Sequence, residues 1–253
     1  MDSISASQLQ CYLACPLQYR FRYVEKLPRP WQSAALAFGS SIHAAVEWFQ
    51  RERLAGRGPI ESAAVSMFQA DWYAQTVEPL VFADGESKES LSEKGSEMIR
   101  IYAKELAKSV PSAVEERFSV DLVDAENWEV LDVSLHGVID FVESDGTVVD
   151  LKTAGRSFDI GSIERHMQLS IYALAVLVRD GTIPKLRIDA LLKTKVPRLE
   201  RYGVHRNHAD LAWAARLIHG VTQAIDARQF FPNPSWRCAE CEYFAQCQAW
   251  RGR

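Results

Sequence analysis

The chain has 253 residues, 47% hydrophobic and 25% charged, with a formal net charge of -4, which suits one large domain and excludes a disordered or globally basic chain. No apolar run approaches the ~20 residues that cross a membrane. The segment Met1-Asp2-Ser3-Ile4-Ser5 lacks the basic and apolar regions of a secretory signal, so the expected location is the cytoplasm, where five cysteines would be free or metal-bound.

Ser5-Ala6-Ser7-Gln8 has the capping-box pattern, and Leu9, Tyr12, Leu13, Pro16 and Tyr19 follow it. This predicts a short helix, broken or bent at Pro16. A second helix is predicted over Ile42 to Leu54, led in by Phe38-Gly39-Ser40-Ser41 and ended by Gly56 and Gly58-Pro59. Two further helical stretches, about 60–76 and 88–109, carry no obvious chemistry and read as a helical layer. Alternation predicts strands at Ala113 to Val123 and Trp128 to Val142. Ile160 to Val178 reads as one helix, Leu186 to Thr194 as a strand, Arg201 to His205 as a short strand, and Asn207 to Arg228 as the last long helix. Helices, an antiparallel meander, a helix and more strand indicate an α/β or α+β core with a mixed sheet and helices around it. A single domain is expected, with a helical layer over about 5–110, a sheet core over 113–206, and a last helix and tail over 207–253.

The most informative segment is a hairpin. Ser144-Asp145-Gly146 suits a three-residue loop with Gly146 in the left-handed conformation, flanked by Val133 to Val142 and Thr147 to Lys152. That loop sets Glu143 against Thr147 and Asp140 against Asp150, about 5 Å apart at Cβ on one face. Lys152, two residues on, joins that face. Two carboxylates so close repel unless a proton or cation lies between them, and their oxygens suit Mg²⁺ or Mn²⁺. A slip of one residue would put them on opposite faces and leave a satisfied pair of surface acids.

Other candidates are weaker singly. His43 lies one helical turn before Glu47, and Gln168 one turn before Tyr172. Glu115 and Glu116 open a strand, and alternation leaves open which one points inward. Between Lys185 and Arg206 stand seven Lys or Arg against Asp189 and Glu200, a patch, with Lys193, Lys195 and Arg198 at its centre, that suits phosphate contacts or a solvated strand edge. Cys238-x2-Cys241-x5-Cys247 follows Phe231-Pro232-Asn233-Pro234 and is a strong metal signal, for structural zinc or an iron-sulfur cluster. A fourth thiolate would come from Cys11 or Cys15.

The order His43, Glu115 or Glu116, Asp140, Asp150-x-Lys152 and Gln168-x3-Tyr172 resembles the RecB-like branch of the PD-(D/E)XK nuclease superfamily over nearly the whole chain, with Ile139 in place of the family proline before Asp140. The resemblance implies a restriction-endonuclease-like core. It makes His43, Asp140 and Asp150 ligands for Mg²⁺ or Mn²⁺, Lys152 the catalytic lysine, Gln168 and Tyr172 supporting residues, and one of Glu115 and Glu116 a neighbour. The iron-sulfur-containing members, the AddB nuclease domain and CRISPR adaptation nucleases among them, hold a 4Fe-4S cluster with one N-terminal and three C-terminal cysteines. That pattern points to Cys15, Cys238, Cys241 and Cys247, with structural zinc as the alternative, and Pro16 places Cys15 near a bend where the chain ends could meet.

The expected activity is a metal-dependent DNA nuclease, an exonuclease on single strands or duplex ends, with a helicase or CRISPR integrase as partner and no membrane. One rival is a catalytically silent DNA-binding or scaffold module for such a partner, against which the intact Asp140, Asp150 and Lys152 argue. Another is a zinc protein unrelated to nucleases, which would leave the hairpin carboxylates without a role.

Overall fold

The computed structural model describes residues 1–58, 60–105 and 110–252. The described elements, in chain order, begin with β1 (Ser3–Ile4), α1 (Ala6–Ala14), α2 (Pro16–Tyr19) with a π-turn over Arg20–Val24, and β2 (Gln32–Ser33). Then come α3 (Ala34–Leu54), α4 (Glu61–Gln75), β3 (Leu80–Val81), α5 (Lys88–Glu105), β4 (Pro111–Val123) and β5 (Val130–Glu143). After these follow β6 (Val148–Ala154), α6 (Ile160–Glu164), α7 (Met167–Asp180), β7 (Leu186–Leu192), β8 (Arg198–Val204) and α8 (His208–Asp226). A 3-10 turn (Trp236–Glu240) and α9 (Phe244–Trp250) close the chain.

The fold is α/β, with a central mixed sheet between helices, as expected. The strand order is β1-β5-β6-β7-β8, with β4 also on β5. β4, β5 and β6 form the antiparallel meander, β6 and β7 run parallel, and β8 returns antiparallel. A short parallel pair, β2 with β3, lies apart. One face of the sheet packs under α1, α2, α7 and α8, where Leu9, Tyr12, Leu169, Leu174 and Ile218 meet Leu135, Ile139 and Ile188. The other carries α3, α4 and α5, whose Phe38, Phe68 and Trp72 pack with Leu151 and Leu191. Among the described residues no helix is long and apolar enough to cross a membrane.

The N-terminal capping box forms, with Ser5 and Gln8 exchanging both bonds, and α1 stops where Cys15 turns extended ahead of Pro16. Helix α3 starts eight residues before the expected Ile42, because the Ser33 hydroxyl accepts the Leu36 N–H and caps it there. The expected single helix 160–178 is two, divided at Arg165 and His166. Arg206 holds that break: its guanidinium donates to the carbonyl of Glu164 at 2.7 Å and to the Ser170 hydroxyl at 2.9 Å. β8 starts at Arg198 rather than Arg201. Residues 106–109 of the expected helix 88–109, Pro59 of the expected helix stop, and Arg253 lie outside the described residues.

Candidate functional site

The hairpin closes as its triplet requires. Gly146 adopts φ +82° and donates to the Glu143 carbonyl, while the Glu143 N–H reaches the Thr147 carbonyl, each at 2.9 Å. Phe141 then pairs with Val149 and Val142 with Val148, which fixes the expected register. Beyond Phe141 the Asp140 side chain takes over, its Oδ2 accepting the Leu151 N–H at 2.6 Å. That bond ties Asp140 to the strand carrying Asp150.

Asp150 is fully buried. Its Oδ1 accepts from the Lys152 ammonium at 2.8 Å, and its Oδ2, equally buried, has no hydrogen-bond partner. Burial raises the carboxyl pKa of both Asp140 and Asp150, and at Asp150 the neighbouring Asp140 charge adds to the rise although Lys152 opposes it. Lys152 also donates to Gln168 Oε1 at 2.8 Å. The Gln168 amide donates to the Tyr172 hydroxyl at 2.6 Å, and that hydroxyl donates to the Val138 carbonyl at 2.7 Å. Gln168 and Tyr172, one turn apart on α7, thus link Lys152 to the backbone of β5.

From the other face, α3 brings His43 to 3.8 Å between its Nδ1 and Asp140 Oδ1. Gly39, one turn earlier, permits the approach, since a Cβ there would stand only 3.2 Å from Thr153 Oγ1 on β6. Burial, then the Lys152 charge, lowers the His43 pKa, so the imidazole is held neutral with a lone pair available. A small cavity joins His43, Glu47, Glu115 and Asp140. Glu115 faces this cavity and Glu116 turns away to Arg179 at 2.7 Å. Glu115 sits in the left-handed region at φ +52°, a strained conformation for a side-chain-bearing residue. Burial, then the Asp140 charge, pushes its carboxyl up to about 7.

One further residue here had no visible signal in the sequence. His166, the residue at the α6–α7 break, is half-buried and points Nε2 at Asp150 Oδ2 from 4.0 Å. The periodicity of Ile160 to Val178 hides the break that exposes it. Among the described residues no group of three His, Cys, Asp or Glu side chains is already drawn together to hold a metal ion. The donor set nevertheless fits a hard divalent cation: an orphaned buried oxygen, a second carboxylate of raised pKa beside it and a neutral imidazole.

Apart from the hairpin site, Cys15, Cys238, Cys241 and Cys247 line one cavity of about 370 Å³. Two sulfurs already accept backbone N–H groups, Cys15 from Asn233 at 3.5 Å and Cys238 from Ser235 at 3.4 Å. Cys11 does not line the cavity; it is buried against α7 and α8, and burial pushes its thiol up to about 11. The tail is tied to the N-terminal helices by Glu242, which pairs with Arg22 and accepts from Gln18 at 3.1 Å, and by Tyr243 Oη on the Leu27 carbonyl.

The basic segment is largely engaged within the protein. Lys193 pairs with Glu86 and lies over the Phe38 ring, Arg198 pairs with Glu200 at 2.7 Å, and Arg187 bridges Glu143 and the buried Asp189. The Lys195 carbonyl accepts from Lys94 at 3.0 Å.

Residues 3–248 match the family model of the PD-(D/E)XK nuclease superfamily. Among solved structures, a crystal structure from Eubacterium rectale named "Putative exonuclease" is similar at a TM-score of 0.61 and 15% identity, over 96% of this chain and 88% of that one, a likeness of fold. The crystal structure of SSO0001 is similar at a TM-score of 0.43 and 14% identity, over 98% of this chain and 86% of that one, too low to carry an argument. None of the curated proteins matches.

Proposed function

The chain belongs to the PD-(D/E)XK nuclease superfamily, and on that premise we propose that it is a divalent-metal-dependent deoxyribonuclease of the RecB-like branch, an exonuclease acting on single strands or duplex ends. The observation that carries this reading is the fully buried Asp150, with Lys152 on one oxygen and an orphaned second oxygen beside Asp140. A buried carboxylate oxygen without a partner is costly, and one retained beside a second carboxyl of raised pKa suits a cation.

In this reading Asp140, Asp150 and His43 hold Mg²⁺ or Mn²⁺. A divalent ion held by these residues would supply charge neutralisation at the phosphodiester and a more acidic water. Lys152, whose Nζ donates to Asp150 Oδ1 and Gln168 Oε1, is placed to orient water or meet developing phosphorane charge. Tyr172 and Gln168 fix where that ammonium stands. Lys193, Lys195 and Arg198 contact phosphates by exchanging carboxylate partners such as Glu86 and Glu200 for the DNA backbone, and their joint replacement weakens binding and flattens its salt dependence.

The tail, in the same reading, holds a 4Fe-4S cluster on Cys15, Cys238, Cys241 and Cys247. What supports a shared metal group there is that the four cysteines line one cavity, and the cluster rather than zinc follows from the family resemblance. Its role is to staple the two ends of a single domain.

Purified protein should degrade end-labelled linear DNA with Mg²⁺ or Mn²⁺, spare closed circles and stop on chelation. Asp150→Ala and Lys152→Ala should each abolish cleavage with the fold retained. Cleavage at the wild-type rate by either variant refutes the site.

A further inference from the structure

His166 is unexplained by the roles assigned so far. It sits on the break between α6 and α7, where it occupies the cap position of α7 without making a side-chain capping bond. The break is stabilised from outside its own helices, by Arg206 on the Glu164 carbonyl and the Ser170 hydroxyl. The consequence is local: two residues before Gln168, which holds Lys152, the chain turns an imidazole into the interior toward Asp150.

Both partners there are incomplete. Asp150 Oδ2 and His166 Nδ1 are buried side-chain atoms without a hydrogen-bond partner. The 4.0 Å between His166 Nε2 and Asp150 Oδ2 is too long for a hydrogen bond. It lies within the roughly 3.0–4.2 Å that separate two ligands each about 2.1 Å from one ion. The separation of His43 Nδ1 from Asp140 Oδ1, 3.8 Å, falls in the same interval. A helix broken at a cost in backbone bonding, an outside arginine to hold it, and an imidazole aimed at the orphaned oxygen make a combination that packing alone does not call for.

We propose that His166 is a second imidazole ligand to the cation of the hairpin site, acting beside Asp150 as His43 acts beside Asp140. The inference rests on the metal-dependent reading above and extends it to the ion's preference. Two nitrogen donors shift a carboxylate site further from Mg²⁺ toward Mn²⁺ than one does.

Pulsed electron paramagnetic resonance of Mn²⁺ bound to the full chain counts the nitrogen donors without any turnover. The wild type should show two imidazole couplings, His43→Ala one, His166→Ala one, and the double variant none. His166→Gln should weaken Mn²⁺ binding about tenfold and Mg²⁺ binding less. Loss of all nitrogen coupling in His43→Ala while Mn²⁺ stays bound overturns the inference and leaves the nuclease reading intact. That result is readable in a chain that keeps His166, even if the His166 variants fold poorly. A wild-type protein that binds no Mn²⁺ overturns both.

Discussion

Replacing Tyr172 by Phe removes one oxygen and tests whether the chain of bonds behind Lys152 is a working part of the site. The Tyr172 hydroxyl is buried, donates to the Val138 carbonyl at 2.7 Å and accepts from the Gln168 amide at 2.6 Å. Val138 lies on β5 between the stretches that pair with β1, at Ser134 and Leu135, and with β6, at Phe141 and Val142. The variant leaves a part-buried carbonyl and a part-buried amide N–H without this partner, about 1–2 kcal/mol each, so a loss of about 2–4 kcal/mol is expected. For a chain of this length that lowers Tm by roughly 5–12 °C. Urea unfolding should show the midpoint falling with an unchanged slope. Gln168, freed of the hydroxyl, no longer fixes the Lys152 ammonium, so kcat on DNA should fall about tenfold with KM nearly unchanged. In a double-mutant cycle, Tyr172→Phe and Gln168→Leu should couple by about 1 kcal/mol or more. A stability loss under about 0.5 kcal/mol, or kcat at the wild-type level, refutes the relay.

The hairpin turn gives a pH test: bonds to Thr147, then Lys185, hold the Asp145 carboxyl down at about 2, so its contribution is complete above its ordinary value near ~4 and disappears as pH falls toward 2. Urea midpoints of wild type and Asp145→Ala should therefore differ at pH 7 and converge toward pH 2; a constant gap refutes it. Glu115→Gly relieves a left-handed backbone strain of about 1 kcal/mol and removes a carboxylate beside Asp140, so metal-free protein should melt higher while cleavage slows; a lower Tm counts against the strain. Anaerobically purified Cys15→Ala should be colourless, iron-poor and less stable, whereas Cys11→Ala stays brown, and a wild type holding stoichiometric zinc sinks the cluster.

The parts of the fold legible in the sequence are those whose determinants are local. The Ser144-Asp145-Gly146 turn closes through bonds among Glu143, Gly146 and Thr147, all within five residues, so the pairing of Val142 with Val148 and Phe141 with Val149 follows from the turn alone. The Ser5 capping box and the interruption at Pro16 are local in the same sense. Helix α3 escapes such reading at its start because Phe38-Gly39-Ser40-Ser41 looks like a loop by propensity. In the structure Gly39 is there for clearance against Thr153 on β6, more than a hundred residues later, and packing outweighs the weak preference.

The site divides along the same line, and the division explains the two residues that spacing could not settle. Glu115 and Glu116 are indistinguishable by alternation because the backbone at Glu115 leaves the extended region, φ +52°, which reassigns the faces where the choice is made. His166 lies in an unbroken apolar period, and only Arg206, forty residues away on the strand side, shows that the helix stops there. The charge run misleads for the converse reason: Lys193 stands among cations in sequence, while its partner Glu86 arrives from 107 residues away. Charge density along a chain therefore measures what a surface must neutralise, and a free basic face exists only where the fold brings no carboxylate to meet it. By that criterion any DNA contact by Lys193 or Arg198 is an exchange of partners, and its affinity should depend on the net difference between phosphate and carboxylate. Replacing Glu86 and Glu200 by glutamine should then tighten DNA binding, measured at fixed salt, and weaker binding refutes the exchange.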